Sequence, residues 1–171
     1  KGFSPLCDGV ALEAIRLIAS SLEISVKKPT LESRSKMMMA ALMGATSFQK
    51  GLGIIHSLAH PLSTVFDTHH GLANAVMLPY GIEFNQSVAD EKFAFLAGLI
   101  GKEKTSTSFL NWVKELNHSI AMPADLKQLN YHQSQIDKLS EIALQDVCHL
   151  SNPKPVNLEQ FRSIYKKAFK C

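Results

Sequence analysis

The chain has 171 residues, 46% of them hydrophobic and 19% charged, which suits one domain with a real core. Eighteen Lys and Arg against fifteen Asp and Glu leave a formal charge of +3. The basic residues are scattered rather than gathered into a stripe, which argues against nucleic acid as a partner. No apolar run approaches the roughly 20 residues that span a bilayer, and no basic-then-apolar leader opens the chain, so a soluble, cytoplasmic protein with no membrane partner is expected.

The opening Lys1-Gly2-Phe3-Ser4-Pro5 reads as the middle of a loop, so the chain is expected to begin inside a longer protein. Cys7, Cys148 and Cys171 are widely spaced with no CxxC pair and read as reduced, intracellular thiols. Val10, Leu12, Ile15, Leu17, Ile18 and Leu22 recur mostly at spacings of three and four, predicting a helix over 8–22 between Pro5 and Pro29. A second helix starts near Thr30 and runs through Met37, Met38 and Met39 to Met43. The three methionines read as packing rather than as a copper site, since consecutive helical residues point in different directions. His56 and His60 fall in a short helix ending near Pro61, because proline removes a donor and clashes with the preceding turn. Residues 62–69 read as a loop, and 71–85 as an apolar helix bent at Pro79. Further helices are predicted over 88–100, 106–117, 134–146 and 158–169, with Lys166, Lys167 and Lys170 as a solvated helix end. No alternating strand pattern or repeat intervenes, so the fold class is all-α.

Four of the seven histidines, His56, His60, His69 and His70, lie between positions 56 and 70. His56 and His60 are four apart and project from one helix face, and His70 follows after a loop that can fold back. Imidazole is a common ligand for zinc and iron, so the cluster points to a metal; the competing reading is a set of buried, hydrogen-bonded histidines. A zinc protease is excluded, because its HExxH pattern needs Glu directly after the first His and Ser57 stands there. His118, His132 and His149 receive no metal role, although His149 stands beside Cys148.

Taken as one string, Gly51-Leu52-Gly53-Ile54-Ile55-His56-Ser57-Leu58-Ala59-His60-Pro61-Leu62, then eight residues, then Gly71-Leu72-Ala73-Asn74-Ala75-Val76-Met77-Leu78-Pro79, resembles the signature of iron-containing (group III) alcohol dehydrogenases. Pro5-Leu6-Cys7-Asp8 leading into Ala11-Leu12-Glu13-Ala14-Ile15, and Asp146-Val147-Cys148 followed by Asn152-Pro153, resemble other segments of that family, so the likeness covers nearly the whole chain. It implies a multi-helix bundle of the dehydroquinate synthase-like type, the C-terminal half of the enzyme, with residues 1–171 as a single helical metal-binding and catalytic domain. A nucleotide-binding domain is expected before Lys1, consistent with the lack of a GxGxxG or P-loop here.

The same resemblance implies that His56 and His70 hold Fe2+ or Zn2+ together with an Asp and a His of a DxxxH helix expected upstream of Lys1. His69 stands where the family commonly has proline and offers an alternative ligand; Gly71 directly after favours His70. His60 is similar to the family's histidine beside the nicotinamide and substrate, a proton relay or orienting group. Phe48 and Cys148 are similar to residues near the NAD or NADP pocket, against the alternatives of a core aromatic and an inert buried thiol. The implied reaction is oxidation of a small alcohol to an aldehyde or ketone, by an enzyme expected to be a homo-oligomer, with the isolated chain inactive. The alternatives are a non-catalytic helical metal-binding or interaction domain, a glycerol dehydrogenase-like zinc enzyme, and a helical bundle without a site.

Overall fold

Ser4 accepts a hydrogen bond from the Cys7 amide and Pro5 takes the first helical position, so α1 (Pro5–Lys27) starts ahead of the apolar periodicity that marks its body. The computed structural model describes residues 3–169, and every regular element among them is helical. Lys170 and Cys171, named above, lie outside the described residues. No helix among the described residues is long and apolar enough to cross a membrane.

Two compact units are present: one of residues up to Gly51 with Asp90–Trp112, the other of Leu52–Ala89 with the residues from Val113 on. In the first, Thr30 and Ser33 form a reciprocal cap that opens α2 (Leu31–Ser47), the predicted start. The Ser47 hydroxyl reaches back to the Cys7 carbonyl at 3.2 Å and Lys50 pairs with Asp8, so α1 and α2 pack as an antiparallel hairpin. Phe93 stacks on Phe109 with centroids 5.7 Å apart, and the Ser106 hydroxyl donates to Asp90.

The second unit carries the histidines. Its α3 (Ile54–Phe66) passes straight through Pro61 instead of ending there. An interior proline costs about 3 kcal/mol, but Leu58, Ala59, Pro61 and Leu62 are all fully buried. Burying two leucines at roughly 1.5–3 kcal/mol each offsets that loss. The helix stops at Asp67, which takes a left-handed conformation (φ 55°) and sends its amide back to the Leu62 carbonyl. The expected long loop therefore shrinks to residues 67–69. Next, α4 (His70–Leu99) joins two predicted helices into one run, with non-helical dihedrals at Ala89 rather than at Pro79.

After α5 (Ser106–Ser119), a 3-10 turn leads into α6 (Ile136–Gln145), and an Asn157–Gln160 capping box opens α7 (Leu158–Ala168). The core of this unit gathers Ile54, Leu58, Leu62, Met77, Leu139, Phe161 and Tyr165. Two buried tyrosines tie the rest of the unit to α3: Tyr165 donates to the Leu58 carbonyl at 2.8 Å and Tyr131 to that of Leu62 at 3.0 Å. Both polar tips are thereby satisfied inside the apolar core.

Candidate metal centre

The glycines before α3 leave its first turn without a side-chain cap of its own. A distant residue supplies it: the buried Asn152 accepts the Ile54 amide at 3.2 Å and exchanges two amide hydrogen bonds with Asn85 of α4, at 2.8 and 3.0 Å. On α4, Gly81 lets Ile55 approach so closely that a Cβ at position 81 would overlap it. These contacts lay the start of α3 against α4 and set the azimuth of the histidines on it.

The outcome is a triangle of imidazoles. Ring centroids are 5.6 Å apart for His56 and His70, 5.8 Å for His56 and His60, and 5.3 Å for His60 and His70. Metal–nitrogen bonds of about 2.0–2.1 Å at tetrahedral angles put two bound imidazole centroids about 5 Å apart. The His56–His70 pair stands close to that spacing. Burial holds His56 below its ordinary value, and the neighbouring His60 and His70 push the same way against Asp146. A neutral ring is the form that donates a lone pair to a cation. The donor set, imidazole nitrogen, suits the iron or zinc that the sequence implies.

Asn74 braces His70, lying 3.0 Å from its Nε2 and donating to its carbonyl at 3.0 Å, while the Asn74 Oδ1 atom is buried without a partner among the described residues. His69 is exposed and its ring lies over Gly71.

His60 is held by a residue with no assigned role in the sequence reading. Its Nδ1 lies 2.6 Å from Asp146 Oδ2, while the other carboxylate oxygen accepts the Ser57 hydroxyl at 2.7 Å and the Cys148 amide at 2.8 Å. Burial works to raise the Asp146 carboxyl, but hydrogen bonds from His60, Ser57 and Cys148 outweigh it and hold the group far below the usual carboxylate range. Asp146 sits at the end of α6, 86 positions from His60, so no local spacing links the two. The only signal was its place beside Cys148 in a segment already set apart. Ser57, read from sequence only as the Glu that is missing, is fully buried and joins α3 to that segment.

Burial, with the Asp146 carboxylate next, pushes the Cys148 thiol up to about 11, so it remains protonated at neutral pH. His60, Asp146 and Cys148 bring ligand-type atoms within 4.8 Å of one another. Both Asp146 oxygens are engaged in hydrogen bonds, Oδ1 with Ser57 and the Cys148 amide and Oδ2 with His60. The His149 ring turns elsewhere, to the Leu144 carbonyl and the edge of Phe161. Phe48 belongs to the other unit, on a 3-10 turn, and at 53% exposure it is not a core aromatic.

Among the described residues every regular element is helical, and His56 of α3 and His70 of α4 stand side by side. Residues 2–169 match the model of the Fe-containing alcohol dehydrogenase family, C-terminal part, and the chain belongs to that family. A 1,3-propanediol dehydrogenase of Klebsiella pneumoniae is 34% identical over 178 residues, covering 99% of this chain and 46% of that protein. An NADPH-dependent butanol dehydrogenase of Clostridium saccharobutylicum is 35% identical over 173 residues, covering 95% of this chain and 44% of its own length. The crystal structure of a 1,3-propanediol oxidoreductase superimposes with a TM-score of 0.95 at 32% identity, covering 99% of this chain and 47% of that one. The chain thus spans less than half the length of the relatives it matches.

Proposed function

We propose that this chain forms the metal-binding half of an alcohol dehydrogenase that oxidises a small alcohol with NAD or NADP. His56 and His70 hold the cation, Fe2+ or Zn2+, with the remaining ligands and the nucleotide-binding domain supplied by sequence outside residues 1–171. When bound, such an ion polarises the alcohol oxygen and NAD(P) accepts the hydride. His60 lies between the metal pair and Asp146 and handles the hydroxyl proton. Cys148 lines the cofactor side as a neutral thiol, and Phe48, an exposed aromatic of the other unit, is a further cofactor-binding residue of a homo-oligomeric enzyme.

The observation that carries this reading is the 5.6 Å separation of the His56 and His70 rings, with His56 kept neutral by its surroundings. The named relatives, alcohol and diol dehydrogenases, support the substrate class. The test is His56→Ala in the full-length protein, with metal content and alcohol oxidation measured together. Loss of one imidazole from the set should lower metal affinity by at least about tenfold, since even disturbing an outer partner of a ligand costs about 10–100-fold. Retained metal and retained activity would refute the assignment.

A further inference from the structure

The hydrogen bonds around Asp146 have a directional logic. The Ser57 hydroxyl already accepts the His149 amide at 2.8 Å, so its own hydrogen is free to go to Asp146 Oδ1. The Cys148 amide, which only donates, fills the same oxygen. That leaves Oδ2, an acceptor, 2.6 Å from His60 Nδ1. An ionised carboxylate accepts and never donates, so the proton on this contact belongs to His60. In a neutral imidazole a proton on Nδ1 leaves a lone pair on Nε2.

We propose that Asp146 is the positioning residue that fixes His60 in the Nδ1–H form, so that Nε2 accepts the proton of a substrate hydroxyl. This rests on the reading of His60 as the proton-handling group. During oxidation the proton leaves the hydroxyl oxygen for Nε2 and the electron pair of the broken O–H bond stays on oxygen. Nδ1–H stays bonded to Asp146, and the carboxylate stays ionised and balances the imidazolium. In the reductive direction Nε2 returns the proton. Ser57 and the Cys148 amide act through Asp146: by saturating Oδ1 they aim Oδ2 at the ring.

That saturation makes a sharp test. In Asp146→Asn the Ser57 hydroxyl and Cys148 amide still require an acceptor and retain the amide oxygen, which turns the NH2 group toward His60. Nδ1 must then accept, and the ring moves to the Nε2–H form. Nitrogen-15 imidazole spectra of the metal-free full chain, assigned with His60→Gln, read the two nitrogens directly. Wild type should show a protonated Nδ1 and an unprotonated Nε2; D146N should exchange them, and Asp146→Glu should restore the wild-type pattern.

A protonated Nε2 in wild type, or an unchanged D146N spectrum, overturns the proposal, and the wild-type spectrum decides even should the variants fail to fold. A role confined to tying the C-terminal segment to α3 would leave the tautomer unmoved. The spectrum needs no metal, cofactor or substrate, so a failure there falls on Asp146 alone. An exchanged tautomer with unimpaired alcohol oxidation by full-length D146N falls on the reading of His60.

Discussion

Cys148 shows how a neighbour decides what a side chain can do. Burial and the adjoining Asp146 carboxylate both disfavour its thiolate and carry the thiol to about 11. With that value, only about one molecule in a thousand is thiolate at pH 8, and the thiolate is the reactive form. Alkylation of Cys148 by iodoacetamide, followed residue by residue by mass spectrometry, should therefore be slow at pH 8. Its rate should rise about tenfold per pH unit up to pH 10. Rapid modification at pH 7 would refute the protonated state. The same carboxylate that suppresses the thiol also lies 2.6 Å from His60 Nδ1, so one ionised group faces two functional neighbours.

At the level of elements, α3 is placed by partners remote in sequence rather than by its own ends. Asn152 caps its first turn, Asn85 locks Asn152, and Tyr165 and Tyr131 bond the carbonyls of its middle and last turns. Asn152→Ala would strand the Ile54 amide and the Asn85 side chain in a buried setting. Each unsatisfied group costs about 1–3 kcal/mol, so a total loss of about 2–6 kcal/mol is expected. For a chain of this size that is a fall in Tm of roughly 5–20 °C, measurable by calorimetry. A shift under 2 °C would show that the amide pair is not what holds α3. Pro61 belongs at this scale too: its helix-breaking tendency is local and weaker than the burial of the turn that contains it.

For the whole molecule, the relatives run to more than twice the length aligned here, and residues 1–171 contain no glycine-rich nucleotide loop. The proposed metal pair offers two imidazoles, whereas closed protein sites commonly supply three or four ligands. Residues 1–171 expressed alone should fold as helices by circular dichroism, bind Fe2+ or Zn2+ weakly and transfer no hydride to NAD or NADP. Alcohol-dependent NADH or NADPH formation by the isolated chain, with metal added, would overturn the division of labour proposed above.

The all-α class, the Thr30 start of α2 and the nearness of His56 to His70 were legible from the sequence, because capping, helical periodicity and a long small-residue motif act over neighbouring positions. Asp146 and Asn152 stand inside segments whose likeness was visible, yet their partners lie 86 and 98 positions away. No spacing rule connects such residues. Whether α3 crosses Pro61, which oxygen of Asp146 faces His60 and which nitrogen of His60 is left open depend on burial and donor–acceptor matching across the fold. Those quantities come into being only when α3, α4 and the segment after α6 are packed together.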